Sequence, residues 1–147
     1  DYPQEQDNFT KLSFKKITLS ILTVLATIII FTGIYIGTYL FSLKEADNHY
    51  QNKRYSHAYE KLDGMFFYRE KDRLLYEKLK IIMTIQHYLD LYSSYNNLAM
   101  YPENKNSLIM GLSKYEDIKK DASEIGVLKE VESLKEIILK ELENLNN

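Results

Sequence analysis

Cysteine and tryptophan are absent from the 147-residue chain, and it has only two prolines and five glycines. Without cysteine there is no disulfide framework, no thiolate nucleophile and no cysteine-based zinc or iron–sulfur site. Few turns are signalled where proline and glycine are rare, so we expect long helices. Tyrosine, with 13 residues, is abundant, and together with frequent Lys, Asn and Ile it indicates an AT-rich bacterial genome.

Charge is absent from one long segment of the chain. Residues 17–43, ITLSILTVLATIIIFTGIYIGTYLFSL, contain no Asp, Glu, Lys, Arg or His, and Lys15, Lys16 and Lys44 close the two ends. A helix needs ~20 apolar residues to span a bilayer, so this segment predicts a transmembrane helix with some tilt. It is too long for the ~7–15-residue apolar core of a signal peptide. The alternative, a buried core helix, needs a soluble domain that covers it on all sides.

The apolar segment divides the chain into three parts: a juxtamembrane segment (1–16), a transmembrane helix (17–43) and a helical domain (44–147). Two lysines abut the first end of the helix and one abuts the second. The positive-inside rule therefore favours a cytoplasmic N-terminus and a C-terminal domain outside the cell membrane. Because the chain begins at Asp1 rather than Met, whether another domain precedes it is left open.

The C-terminal domain carries the whole net charge of −2, because the first 43 residues hold three acidic and three basic side chains. Neither sign forms a long block there, so no nucleic-acid partner is expected. Apolar residues at i, i+3 and i+4 predict helices almost to the end of the chain. We expect one helix from an N-cap at Asp72 to Leu98, an interruption over 101–106, a second helix capped by Gly126, and a third from Leu128 onwards.

The stretch HYQNKRYSHAYEKL (49–62) follows the apolar segment. Leu43, Ala46 and Tyr50 keep one helical face, but apolar spacing resumes only at Tyr55. A step of five residues rotates the apolar stripe by ~140° at 3.6 residues per turn. The shift predicts a tight turn at residues 51–54, with the end of the membrane helix forming the first helix of a hairpin.

This hairpin resembles a tetratricopeptide repeat (TPR). Ala58 and Leu62 match the Ala-x3-large pair of the second helix in that family, Ala46 supplies the small residue of the first, and Tyr50 and Tyr55 resemble the aromatics that flank its turn. The resemblance implies protein or peptide binding on a concave helical surface and not catalysis. The helical periodicity, with no segment of strand alternation, predicts an all-α fold class, and the resemblance adds its arrangement: a single transmembrane helix followed by a small TPR-like antiparallel helical domain.

The resemblance covers residues 40–100 at most. Ser42 occupies the family's Trp position and Glu70 its Pro position, and a second copy 34 residues on would place Tyr92 at the Ala position and Asn96 at the large one. A generic helical bundle is the alternative fold.

Two sets of residues are candidates for contact with partners. Gly33 and Gly37 form a GxxxG on one face of the transmembrane helix, which favours helix pairing in a homo- or hetero-oligomer. The alternative is that they reflect only the frequency of glycine in membrane helices. Tyrosines offer large rigid rings for a binding surface, although at helical spacing they also pack between helices. The candidates are Tyr50, Tyr55, Tyr59, Tyr88, Tyr92 and Tyr95.

Catalytic and metal-binding patterns are weak. His57 and Glu60 share a helix face with Asp63 a turn further, but a zinc site usually has more nitrogen ligands. Ser93 and Ser94 have only His87 and Asp90 nearby, and no HExxH, phosphate loop or GxSxG motif occurs. We expect no enzyme activity, no cofactor and no metal. The predicted function is that of a scaffold or subunit in a membrane protein complex, and the alternative is a sensor that signals through the transmembrane helix.

Overall fold

The computed structural model describes the backbone of residues 5–146 and the side chains of residues 14–146. These residues form five helices and no strand, so the all-α prediction is confirmed. The chain divides after Phe41 into two compact units, and the unit Ser42–Asn147 contains the last turns of α1 and the other four helices. The helices are α1 (Glu5–Gln51), α2 (Tyr55–Leu62), α3 (Glu70–Asn97), α4 (Tyr101–Ile125) and α5 (Leu128–Asn146).

Helix α1 is long and apolar enough, from Phe14 to Gln51, to cross a membrane. Its large apolar side chains are exposed in all directions: residues 28–31, which point 100° apart in succession, are each at least 55% exposed. The hydroxyls of Thr18, Thr23 and Thr27 donate to the carbonyl oxygens four residues earlier at 2.8–2.9 Å. These polar groups are therefore satisfied within the helix itself.

The predicted turn after α1 is confirmed. Helix α1 ends at Gln51 and α2 begins at Tyr55, with Lys53 in the left-handed region at φ 58°. The Arg54 N–H donates to the His49 carbonyl at 2.9 Å. The residues that carry the TPR resemblance lie inside this hairpin, since Ala46, Ala58 and Leu62 are fully buried.

Helix α3 begins earlier than the sequence predicts. Its N-cap is Arg69, so the prediction of Asp72 as the cap is wrong. Asp72 lies within the first turn, where its carboxylate accepts hydrogen bonds from Nε and Nη2 of Arg69 at 2.6 and 3.1 Å. A carboxylate there still complements the positive end of the helix dipole, which is why an acidic residue suits either position.

The connection between α3 and α4 is shorter than predicted. It consists of residues 98–100, and α4 begins at Tyr101 with Pro102 in its first turn. The predicted interruption over 101–106 is wrong because proline is well tolerated in a first turn, where its missing N–H would have no helical partner. The chain reverses instead at Ala99, which adopts φ 57°.

Helices α3, α4 and α5 approach one another closely at Gly111. A Cβ atom on Gly111 would lie 2.8 Å from Cδ1 of Ile138 and 3.2 Å from Cβ of Tyr88. Gly126 ends α4 in the left-handed conformation (φ 79°), and the Val127 N–H donates to the Ala122 carbonyl at 2.8 Å, so the predicted cap is confirmed. The largest fully buried side chains are Leu62, Leu79, Ile82, Ile85, Leu108, Val127, Val131, Ile138 and Asn104.

Candidate functional site

The six tyrosines proposed for one binding surface lie in four different places. Tyr50, at the end of α1, donates its hydroxyl to Oε1 of Glu130 in α5 at 3.0 Å, and its ring meets Tyr55 edge-on at 5.9 Å. Burial, followed by the hydrogen bond to Glu130, raises the pKa of the Tyr50 hydroxyl. Tyr55 is only 4% exposed and is a core residue. Both rings therefore contribute to packing inside the C-terminal unit.

Tyr59 joins α2 to α3. Its ring stacks on Tyr76 with centroids 5.4 Å apart, and the two hydroxyl oxygens are 3.2 Å apart. Tyr76 also donates to Oδ1 of Asp63 at 3.2 Å and contacts the ring of Phe67 at 5.2 Å. The hydrogen bond with Tyr59 is the main cause that raises the pKa of Tyr76. Tyr76, which the sequence does not single out, is the centre of this cluster.

Tyr92 joins α3 to α5. Its hydroxyl donates to Oε2 of Glu141 at 3.0 Å. Burial, and then the bond to Glu141, raise the pKa of Tyr92. Tyr92 thus holds two helices together, as Tyr50 and Tyr59 do elsewhere.

Tyr88 and Tyr95 are the two candidates that share an open surface. They line a groove of about 360 Å³ between α3 and α4, which we call the α3–α4 groove. The lining residues on each helix are mostly three or four positions apart, so each helix contributes one of its faces to the groove. The lining residues are His87, Tyr88, Leu91 and Tyr95 of α3, and Glu103, Asn106, Ser107 and Met110 of α4.

The groove is lined by apolar and aromatic side chains on one hand and by polar side chains on the other, in equal number. Met110 is 54% exposed in it. The Ser107 hydroxyl lies 2.7 Å from the carbonyl oxygen of Asn104 and 3.1 Å from that of Glu103, and it donates to the backbone of its own helix. It is therefore not positioned as a nucleophile. A concave surface that combines apolar and polar side chains is typical of binding sites.

Exposed apolar residues continue from the groove into the connection between α3 and α4. Leu98 is 68%, Tyr101 63% and Met100 37% exposed, and Ile109 beside Met110 is 50% exposed. We call residues 98–101 the α3–α4 tip. Sequence reasoning missed the groove and the tip. The available signal was the pair Ile109-Met110, two apolar residues of which neither belongs to the core stripe of α4.

A smaller cleft of about 270 Å³ lies beside the α1–α2 turn. It contains the hydrogen bond between Tyr50 and Glu130, together with two lysines of opposite charge to Glu130. Its polar groups are thus partly engaged with one another. The lining residues are Tyr50, Gln51, Lys53, Tyr55, Lys129, Glu130 and Ser133.

The weak catalytic pattern at Ser94 is used for local structure. The Ser94 hydroxyl donates to the Asp90 carbonyl oxygen at 2.9 Å. The Asp90 carboxylate accepts from Ser56 at 2.6 Å and from Gln86 at 2.8 Å. This carboxylate ties α2 to α3.

The histidines lie in two places: His49 and His57 beside the α1–α2 turn, and His87 in the α3–α4 groove with Glu103. The rings of His49 and His57 lie 5.6 Å apart across the α1–α2 turn. Over the part of the chain that the structure describes, no three His, Asp or Glu side chains are close enough to hold a metal ion.

Gly33 and Gly37 have open space beside them. A Cβ atom built on either glycine meets no atom within 4 Å. Within the described residues of its own unit, neither glycine serves a close approach, so a packing role on α1 would involve a second helix.

Comparison with protein-family models, with curated proteins and with solved structures found no match in any of the three.

Proposed function

We propose that this protein is a single-pass, membrane-anchored helical module that binds a protein partner, as a scaffold or subunit of a membrane complex. The observation that carries the proposal is α1, whose uncharged segment 17–43 exposes large apolar side chains in all directions. At 1.5 Å per residue these residues extend about 40 Å, enough to cross a hydrocarbon core of ~30 Å with tilt. In water such a surface would be an aggregation liability.

The α3–α4 groove is the proposed partner site. Tyr88 and Tyr95 present rigid rings, and Met110 presents a flexible side chain that adapts to apolar groups. The volume of about 360 Å³ suits a few side chains of a peptide or helix. Anchoring in the bilayer raises the effective concentration of this site for partners in the same membrane.

The TPR-like arrangement is part of the proposal. The α1–α2 hairpin buries Ala46, Ala58 and Leu62, the residues on which the resemblance rests. Helices α3 and α4 follow as a longer hairpin. We place the C-terminal unit outside the cell membrane of a bacterium, on the lysine asymmetry at the ends of the apolar segment, and we assign Gly33 and Gly37 to helix pairing within the bilayer.

A sensor is the second candidate function, and one observation favours it. Helix α1 has no break at the end of the apolar segment and continues to Gln51. Near its end, Tyr50 is hydrogen-bonded to Glu130 of α5. A ligand that shifts α5 would thereby have a route to the end of α1.

Site-specific photo-crosslinking in intact cells tests the partner site. A photo-reactive residue at Met110 is expected to give one discrete adduct with another protein, which a second substitution, Tyr95→Glu, abolishes. Leu139 is the matched control, because it is also apolar and exposed (46%) but lies on α5 outside the groove. Equal adducts at both positions, or none at Met110, would contradict the assignment of the groove.

A further inference from the structure

The loop between α2 and α3 presents aromatic side chains to the surroundings. Phe66 is 69% and Tyr68 63% exposed, and their rings meet edge-on at 5.2 Å. The residue between them, Phe67, contacts the ring of Tyr76 at 5.2 Å. Phe67 thus anchors the loop to α3, while Phe66 is held outward at a free-energy cost unless an apolar environment receives it.

This loop is tethered close to the point where the apolar segment ends. Nζ of Lys61, at the end of α2, lies 2.6 Å from Oε2 of Glu45. Glu45 comes only two residues after Leu43, the last residue of the uncharged segment. Phe66 follows Lys61 by five residues, a path of at most about 18 Å at ~3.5 Å per residue. Helix α2 therefore returns beside the end of the apolar segment, and the aromatic loop begins there.

Basic side chains flank the aromatic loop. Lys61 precedes it, and Arg69, Lys71 and Arg73 follow it, interleaved with the acidic residues Asp63, Glu70 and Asp72. Three of these cations also form ion pairs within the protein: Lys61 with Glu45 and Arg69 with Asp72, both at 2.6 Å, and Arg73 with Glu70 at 2.7 Å. Aromatic rings beside lysine and arginine are the composition of membrane–water interfaces, where the rings sit at headgroup level and the cations meet lipid phosphates.

We propose that the aromatic loop, residues 65–68, is a second membrane contact, which places Phe66 and Tyr68 in the headgroup region of the bilayer that α1 spans. This inference rests on the proposed membrane anchoring of α1. The ion pair between Lys61 and Glu45 holds the start of the loop near the end of the apolar segment. This position, rather than exposure alone, favours lipid over a protein as the occupant. The α3–α4 tip is equally apolar but lies at the other end of α3, which has 28 residues and is about 42 Å long.

The absence of tryptophan from the chain gives a direct test. Three single-tryptophan variants of the full chain are reconstituted in vesicles of zwitterionic and anionic lipids, with and without bromine on the acyl chains. Phe66→Trp reports on the loop, Phe31→Trp on the apolar segment and Tyr101→Trp on the α3–α4 tip. The three aromatic positions are matched in exposure, at 69%, 67% and 63%.

We expect brominated lipid to quench Phe66→Trp fluorescence, and its emission to be shifted to the blue of Tyr101→Trp, which stays unquenched. Tyr68→Trp, a second reporter in the same loop, is expected to agree with Phe66→Trp. If Phe31→Trp is quenched while the two loop reporters match Tyr101→Trp, the loop inference is overturned and the membrane anchor stands. A blue shift without quenching also overturns it, since the loop then packs on protein. If Phe31→Trp is not quenched, the anchor itself fails, and the inference with it.

Discussion

Replacing Gly111 by alanine tests how closely α3, α4 and α5 pack. In an open helical position Gly→Ala raises the free energy of unfolding by about 1 kcal/mol, because alanine has less backbone freedom to lose. At Gly111 the new methyl group would lie 2.8 Å from Cδ1 of Ile138 and 3.2 Å from Cβ of Tyr88. Ile138 is fully buried, so its rotation is restricted, and Cβ of Tyr88 moves only with the backbone. Overpacking costs about 1–3 kcal/mol, so we expect a net loss of about 1 kcal/mol.

Urea unfolding of the full-length protein in mild micelles, followed by far-UV circular dichroism, measures this loss. With a slope of about 1–3 kcal/mol per molar urea, a loss of 1 kcal/mol lowers the midpoint by roughly 0.5 M. Ser113, exposed two residues further along α4, provides the matched control. There the alanine variant should be more stable than the glycine variant by about 1 kcal/mol.

A second variant separates overpacking from other causes. Ile138→Val removes Cδ1, the atom nearest to the new methyl group, and by itself costs about 1 kcal/mol. In that background Gly111→Ala should be close to neutral, which gives a coupling of about 1 kcal/mol between the two positions. The reasoning is refuted if Gly111→Ala stabilises both backgrounds as much as alanine does at Ser113.

Three other predictions follow from single features of the structure. Gly126→Ala should lower the free energy of unfolding by about 1 kcal/mol, and Ala99→Gly should raise it by less than about 1 kcal/mol, because both residues adopt the left-handed backbone conformation. The same urea assay measures both changes, and a change of the opposite sign at either position would contradict the prediction. The pKa of Tyr50 is raised from 10.0 in the folded protein, so the stability that the protonated hydroxyl contributes is complete below pH 10 and is lost as pH rises through the raised pKa. Between pH 7 and a pH above 10, Tyr50→Phe should therefore lose less stability than the wild type. An equal loss in the two proteins would refute this. Gly33→Ile with Gly37→Ile should abolish chemical cross-linking of α1 pairs without changing the urea midpoint, since a Cβ on either glycine meets no described atom within 4 Å. Undiminished cross-linking would refute helix pairing there.

Periodicity predicted the helices well where the apolar stripe alone decides the structure. The five-residue step from Tyr50 to Tyr55 located the α1–α2 turn, and Gly126 located the end of α4. Both signals are local: a shift in the apolar spacing or a glycine in the left-handed conformation affects the backbone only within one or two helical turns. Helix starts were predicted less well, since Asp72 is favourable both as a cap and in the first turn.

The groove and the tyrosine contacts depend on tertiary structure and could not be predicted from spacing. Tyr59, Tyr88 and Tyr92 all lie inside helices, yet Tyr59 meets Tyr76, Tyr92 meets Glu141, and Tyr88 lines an open groove. Which of these occurs depends on how α2, α4 and α5 are placed around α3. Gly111 also looks unfavourable in a helix until Ile138 is seen to approach it.

Labelling at the two ends of the chain tests most directly the claim that α1 spans a membrane. The absence of cysteine allows single sites to be introduced, at Thr10→Cys before the apolar segment and at Ser123→Cys in the C-terminal unit. In spheroplasts, a membrane-impermeant maleimide should label Ser123→Cys at once and Thr10→Cys only after the membrane is permeabilised. The reverse pattern would keep the span and overturn its orientation. Labelling of both sites, or protection of both, in sealed spheroplasts would contradict a membrane-spanning α1.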